Sequence, residues 1–404
     1  MRQMTTGGAT SLREDGATGA NGHRLEEWGR TAGFTRAAAT YYNRPMIKRP
    51  TWKWFIPLYF FTGGLAGGAA AIGSVAELLG GVRHRATVRH ARYLTILLAP
   101  LCALLLIADL GRPARFHHML RVFKGSSPLN VGTWILTAFG AASGALALRQ
   151  AAEDDVVIRR ESVPGRLARL VPVKPVTVAH GLLGLALGGY TGTLIAATAV
   201  PLWAAAGVLM GPLFLATALA SGAAALRLTS RATRTTITAA DDEISDVEQV
   251  ATLAGLGIVA AREVLAPARV SEPLRRGLWG NIFKFGAVGG GMVAPLGLNL
   301  ALRFAGPRAR RTVGTLTAAI TLAGALAERF AITEAGKQSA DDPLASQAMT
   351  RGAPGEARPT AAEQARRAPA KARDHAFQPQ QVVPEHSTQT PAYRAGATTG
   401  RASS

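Results

Sequence analysis

The sequence predicts an all-α, polytopic membrane protein with about eight transmembrane helices. Hydrophobic residues make up 48% of the chain, and they are grouped in blocks that are almost free of charge. Such blocks match the length of about 20 residues that a helix needs to cross the hydrocarbon core of a bilayer. A transmembrane β-barrel would instead alternate apolar and polar residues along each strand.

The blocks predict individual spans and one tight connection between them. Only Ala199-Val-Pro201 separates the fourth span from the fifth, which predicts a helical hairpin. The sixth span is the least regular, because Arg262 and Glu263 interrupt it. The predicted spans cover residues 54–80, 93–109, 129–148, 176–199, 202–226, 247–265, 278–302 and 313–332.

The two ends of the chain differ in composition from the central region. Residues 1–50 form a polar extension, and residues 51–335 form the transmembrane domain. Residues 336–404 are rich in Ala, Pro, Gly, Thr, Gln and Arg and have no apolar periodicity. A segment of this composition cannot bury enough apolar surface to fold, so we expect a disordered tail.

The net charge of +20 comes mainly from arginines in the connectors between apolar blocks. Membrane proteins place basic residues there, which indicates contact with membrane lipid and not with nucleic acid. An even number of spans puts both termini on one side. The connectors on the opposite side hold 17 Lys and Arg, against 13 on the terminal side. The positive-inside rule then predicts a plasma-membrane protein with both termini on the outer face.

The sequence lacks the residues that would hold a redox centre. Cys102 is the only cysteine, whereas an iron–sulfur cluster needs about four thiolates. His180 is the only histidine clearly inside a span, so there is no histidine pair for haem. No HExxH or CxxC motif is present, and no metal site is predicted.

Two glycine-rich stretches allow two interpretations. Gly63-Gly64 and Gly67-Gly68 in the first span either let helices pack closely or leave a face thin enough for a flat ligand. Gly188-Gly189 in the fourth span offers the same choice.

Polar residues from four helices are predicted to lie at one membrane level, on the terminal side. This coincidence favours a pocket for a quinone headgroup, which needs hydrogen-bond donors and a titratable group beside an apolar slot. The alternative is ordinary interfacial polarity, with Arg112 pairing Asp109 to hold a turn. The candidate quinone-binding residues are Tyr59, Asp109, Arg112, His117, His118, Asn130 and Tyr190.

Two further acids are candidates for a proton path. Glu77 lies at the far end of the first span, and Glu328 lies late in the eighth. Their alternative is a placement at the membrane interface.

Four segments of the chain carry a family resemblance, and they cover residues 56–68, 109–116 with 126–134, 190–203, and 329–343. The second segment includes Asp109-Leu-Gly-Arg-Pro-Ala-Arg-Phe116, and the third runs from Tyr190-Thr-Gly192 to Pro201-Leu-Trp203. In these segments the chain resembles the NrfD/PsrC-type membrane subunits of complex iron–sulfur molybdoenzymes.

This resemblance implies two four-helix halves without haem. It also implies a docked 4Fe-4S ferredoxin-type subunit, a molybdopterin catalytic subunit, and menaquinone or ubiquinone as the exchangeable substrate. Tyr59, Asp109, Arg112 and Tyr190 match the family motifs, whereas His117 and His118 lie just beyond them. Many relatives carry an acid where this chain has Phe55, which removes an acid-based proton route at that position.

The sequence therefore predicts a quinone-reactive membrane subunit of a multi-subunit oxidoreductase, which alone should catalyse nothing. The alternatives are a structural anchor without quinone chemistry and a secondary transporter or ion-translocating subunit. A transporter should place charged residues near the bilayer midplane, whereas the charges here were expected at the interfaces.

Overall fold

The computed structural model describes residues 45, 47–155, 158–233, 238–302 and 304–351. Within these ranges there is no strand, and eight helices are long and apolar enough to cross a membrane. The predicted all-α fold with eight spans is therefore confirmed. The polar extension up to residue 44 and the tail from residue 352 lie outside the described residues.

Thirteen α-helices are formed by the described residues, and several are short. Three 3₁₀ segments cover Val82–His84, Pro113–Leu120 and Gly207–Leu209. The α-helices are α1 (Phe55–Leu79), α2 (Arg85–Asp109), α3 (Pro128–Asp154), α4 (Val163–Arg169), α5 (Val173–Ala196), α6 (Pro201–Ala206), α7 (Met210–Ala232), α8 (Thr238–Leu265), α9 (Glu272–Arg275), α10 (Gly277–Asn281), α11 (Ala294–Leu302), α12 (Pro307–Asp341) and α13 (Pro343–Arg351).

The long helices pack as two groups of four. In the first half, α1 contacts α2 and α5, and α3 contacts both α2 and α5. In the second half, α7 contacts α8 and α12, and α12 contacts the seventh span. The halves meet along α1 and α7. The apolar part of α1 is 83% buried, against at most 56% in the other spans, so α1 is the central helix.

Small residues let α1 approach its neighbours closely. A Cβ on Gly67 would lie 2.4 Å from the carbonyl oxygen of Gly184, and one on Gly68 would lie 2.0 Å from that of Ala218. These distances leave no room for any side chain. Of the two interpretations of these glycines, close helix packing is the correct one.

The seventh span contains a long π-helical segment. Residues Ile282–Val293 form a π-helix between α10 and α11. π-helical turns are rare and occur often at functional sites, because the wider turn re-aims the side chains that follow it. This segment packs against α12.

The last span continues beyond the predicted end of the domain. The tail was expected to begin at residue 336, but α12 runs to Asp341, and α13 follows it. The helix persists because Gly336 and Ser339 lie against the start of α6. A Cβ on Gly336 would meet the indole of Trp203, and the Ser339 hydroxyl accepts a hydrogen bond from the Leu202 N–H at 3.1 Å.

Candidate functional site

Asp109 lies at the end of α2 and contacts the start of α1. Its Oδ1 accepts a hydrogen bond from the backbone N–H of Lys53 at 2.9 Å. Lys53 lies two residues before α1, and a carboxylate near the start of a helix is favoured by the positive end of the helix dipole. Asp109 and Arg112 both belong to the described part of the chain, and no ion pair joins them there. The ion pair considered from the sequence is therefore not formed.

Arg112, His117 and His118 belong to an exposed connector. This segment includes the 3₁₀ helix Pro113–Leu120, in which no residue is buried. The two imidazole rings lie against each other, with 4.5 Å between their centroids. The structure does not bring these three side chains into the helix bundle with Tyr59.

Asn130 fixes the connector to the start of α3. Its Oδ1 accepts a hydrogen bond from the Lys124 N–H at 2.6 Å, and its Nδ2 donates to the carbonyl oxygens of Met119 and Val122. The amide is therefore fully engaged by backbone groups, which gives Asn130 a structural task.

Tyr190 connects α5 to the same end of α3. Its hydroxyl donates a hydrogen bond to the carbonyl oxygen of Pro128, and its ring covers Gly132. Any side chain at Gly132 would overlap this ring. The Tyr190 hydroxyl is thus occupied, while its ring packs on the cluster that contains Tyr59.

Tyr59 differs from the other candidate residues because it is buried while its polar group has no protein partner in the described part of the chain. The residue is 2% exposed, and its ring lies near Gly63 together with Cys102 of α2 and Leu187 of α5. Among the described residues, its hydroxyl has no hydrogen-bond partner. A buried tyrosine hydroxyl normally finds a partner, so this group is available for a ligand.

The structure therefore brings together part of the predicted site. Tyr59 lies four residues after Phe55, the first residue of α1, which is about 6 Å along the helix axis at 1.5 Å per residue. Tyr59, Asp109 and Tyr190 surround the same end of the first half, whereas Arg112, His117 and His118 lie outside it.

A polar cavity lies near the opposite end of the first half. Glu77 forms an ion pair with Arg92 at 2.9 Å, and both residues line the cavity with His180. The ring of His180 stacks on Phe139, and its Nε2 lies 3.0 Å from the Ser143 hydroxyl. The sequence analysis used His180 only to show that no second histidine is available to form a haem-binding pair. That a histidine lies inside an apolar span was the signal for a polar interior site.

The second half holds buried charges that the sequence analysis missed. Glu248 is 1% exposed and pairs with Arg227, and Arg329 is 2% exposed beside Glu328. The expectation that charges lie at the interfaces is wrong for this half. Glu248 lies near the start of the sixth predicted span, which is the least regular one. Hydropathy alone did not show that the helix begins several residues earlier, at Thr238.

Comparison with known protein families identifies the family of this chain. The family described as polysulphide reductase, NrfD, matches residues 43–340. The chain is a member of the NrfD family. None of the curated proteins matches the sequence.

The NrfD match covers all eight spans and confirms the resemblance drawn from the four segments. It includes Tyr59, Asp109 and Tyr190 as well as Glu77 and Glu328. A multi-pass membrane location follows from the family and from the eight apolar helices. In this NrfD chain, the polar extension before residue 43 and the segment after residue 340 lie outside the family match.

Proposed function

We propose that this chain is the quinone-interacting membrane subunit of a multi-subunit oxidoreductase. It would exchange electrons between the cluster of an iron–sulfur partner and the quinone pool, with a molybdopterin subunit as the catalytic partner. The family match supports membership in such a complex. The observation that carries the quinone assignment is the buried Tyr59 hydroxyl, which has no hydrogen-bond partner among the described residues.

The chemistry around Tyr59 fits one end of a quinone. A phenolic hydroxyl donates a hydrogen bond to a quinone carbonyl, and Cys102 and Leu187 near the Tyr59 ring make its surroundings apolar. Asp109 lies near the same end of α1 and can exchange a proton with the bound quinone or quinol. The cluster of the partner subunit is the other electron carrier, so this chain needs no metal of its own.

The exposed connector after α2 suits a docking face for the iron–sulfur partner. It carries four basic residues, Arg112, Arg115, Arg121 and Lys124. None of the residues of its 3₁₀ helix, Pro113–Leu120, is buried. Docking here would bring the partner's cluster close to Asp109, at the end of α2. The proposed plasma-membrane location and outer-face termini would place this partner outside the cell.

The test compares three variants in the assembled complex. Tyr59→Phe removes only the hydroxyl and leaves the ring packing intact. We expect normal assembly and an apparent quinone KM raised about tenfold, the value of roughly one hydrogen bond. Tyr93→Phe is the matched control, because its hydroxyl donates to Asp154 at 2.7 Å near the cavity of Glu77 and Arg92. It should leave the quinone KM unchanged.

Asp109→Asn is the third variant in this comparison. The amide oxygen keeps the hydrogen bond from the Lys53 N–H, but the proton acceptor is lost. Quinone-linked turnover per assembled complex should fall about 10²–10⁴-fold, while electron transfer from substrate to a soluble dye stays normal. Normal quinone-linked turnover in both Tyr59→Phe and Asp109→Asn would contradict the proposal.

A structural anchor without quinone chemistry is the second candidate function. It is favoured by Asn130 and Tyr190, whose polar groups are taken up by the backbone. An anchor predicts that Tyr59→Phe and Asp109→Asn change only the amount of assembled complex. The turnover of each assembled complex separates the two functions.

A further inference from the structure

Glu328 is an unusual residue in the interior of the second half. It lies on α12 with 0% exposure, and neither carboxylate oxygen has a hydrogen-bond partner within the described residues. Buried polar atoms are nearly always hydrogen-bonded, so an exception needs an explanation. An ionised carboxylate without donors in an apolar interior costs several kcal/mol, whereas a protonated one avoids most of that cost.

The neighbouring cation is held in part by groups other than Glu328. Arg329 Nη1 lies 3.4 Å from Glu328 Oε1. Its Nη2 donates to the Phe214 carbonyl oxygen at 2.9 Å and to the Thr217 hydroxyl at 2.8 Å. The guanidinium also lies 3.6 Å from the centre of the Phe214 ring. These contacts hold Arg329 on α7, whereas its Nε and Nη1 have no hydrogen-bond partner within the described residues.

Glu328 lines a small internal cavity beside the π-helix. The cavity has room for about one water molecule. Three threonines line it, and the π-helix contributes Gly291, which lies against Gly324 of α12. A Cβ on Gly324 would be 2.0 Å from the Gly291 Cα. The lining residues that matter here are Thr217, Thr252, Thr321, Gly291, Gly324 and Glu328.

A series of polar contacts leads from this cavity to the first turn of α8. The hydroxyl of Thr321 donates to Glu248 Oε1 at 2.7 Å. The other oxygen of Glu248 accepts a hydrogen bond from Arg227. The guanidinium of Arg227 lies 3.7 Å from Asp241, whose side chain is 29% exposed. Hydrogen bonds therefore connect the closed cavity to Glu248, and the guanidinium of Arg227, which keeps its protons, lies between Glu248 and Asp241.

We propose that Glu328 binds an exchangeable proton in this cavity, and that Thr321 and Glu248 form its route of exchange. In the exchange step, the O–H bond at Glu328 breaks and its proton passes to the cavity water. The hydroxyl of Thr321 accepts a proton from that water and releases its own to Glu248, where a new O–H bond forms. Ionised Glu328 is then held by Arg329. No electrons move, and the site needs no quinone.

The other charged groups around the cavity do not neutralise Glu328. Arg262 of α8 pairs with Glu263 at 3.2 Å, and Lys284 of the π-helix donates to the Arg275 carbonyl oxygen at 2.7 Å. Neither of them lines the cavity. Arg329 is the cation in contact with Glu328 among the described residues.

Infrared spectroscopy of the purified full-length chain tests the proposal without any partner or quinone. A protonated carboxyl group gives a C=O band that is separate from the amide bands, and deuterium exchange shifts it. We expect such a band in the wild type, a further shift on ¹³C-glutamate labelling, and loss of the band in Glu328→Gln. Glu334→Gln is the matched control, because Glu334 is paired with Lys337, and it should keep the band.

The route is tested by the rate of deuterium exchange. Thr321→Val keeps the shape of the side chain but removes the hydroxyl, so the band should remain and its shift in D₂O should slow. A wild-type spectrum without a protonated glutamate band would overturn the proposal, even if Glu328→Gln failed to fold. A band that persists in Glu328→Gln would also overturn it. An unchanged exchange rate in Thr321→Val would refute the route.

Discussion

The carboxylate of Asp109 accepts the backbone N–H of Lys53 at 2.9 Å, which ties the end of α2 to the start of α1. The sequence suggested two roles for Asp109, a partner for Arg112 or a proton acceptor. The structure adds a third role, as an acceptor that holds the segment leading into the central helix of the bundle. The hydrogen-bond acceptor and the proton acceptor use different properties of the carboxylate, so substitutions can separate them.

Asp109→Ala should destabilise the protein, while Asp109→Asn should not. Alanine removes the acceptor for the Lys53 N–H, and a hydrogen bond of this kind is typically worth about 1 kcal/mol. Asparagine retains an oxygen in the same place. Thermal denaturation of the detergent-purified chain should give a lower midpoint for alanine only. Equal losses in both variants would mean that the charge, and not the hydrogen bond, stabilises α1.

Gly336→Ala and Gly297→Ala should change stability in opposite directions. A Cβ on Gly336 would lie 1.9 Å from Nε1 of buried Trp203, and overpacking of this kind costs about 1–3 kcal/mol. Gly297 is exposed in α11 with nothing within 4 Å of a new Cβ, so alanine there should stabilise the helix by about 0.5–1 kcal/mol. Denaturation midpoints of the two variants check this. Similar midpoints would argue against the packing of α12 on Trp203.

The purified chain should show no haem Soret band. His180 is the histidine deep in a span, and its Nε2 is engaged with the Ser143 hydroxyl. Its ring stacks on Phe139 at 5.1 Å between centroids, so the protein itself holds this imidazole. An absorption spectrum of the chain, purified with haem supplied during growth, is the measurement. A stoichiometric Soret band would contradict this account.

Reporter fusions should place residues 20 and 400 on the same side of the membrane, because the number of spans is even. The basic connectors favour the outer face. Four of the counted basic residues are buried and do not face the membrane surface: Arg92 and Arg227 on the side opposite the termini, and Arg329 and Lys337 on the terminal side. Because each side loses two, the excess of Lys and Arg on the side opposite the termini remains. A reporter active outside at both positions is expected. Opposite locations would contradict the eight-span fold.

The sequence predicted the fold well because hydropathy reports directly on membrane spans. Every predicted span lies within or close to an observed one, and the short Ala199–Pro201 connection gives the expected hairpin. Helix ends were less predictable. Residues 336–341 remain helical because they pack against Trp203 and Leu202, and these contacts are far apart in the sequence.

The site was only partly predictable for a related reason. Position along a span predicts the level of a residue but not the direction of its side chain. Tyr59 and Tyr190 therefore share a level, yet one hydroxyl is free of protein partners within the described residues and the other binds the Pro128 carbonyl oxygen. The sequence analysis did not single out Glu248 or Arg329, and only helix packing shows that both are buried in the second half.

Photolabelling with an azido-quinone tests the central claim most directly. The assembled complex is irradiated with the labelled quinone, with and without excess unlabelled quinone, and the modified peptides are sequenced. This account predicts competed labelling on α1 near Tyr59 and on the facing parts of α2 and α5, reduced in Tyr59→Phe and unchanged in Tyr93→Phe. Competed labelling confined to other helices, or labelling that excess quinone does not suppress, would contradict a quinone site at Tyr59.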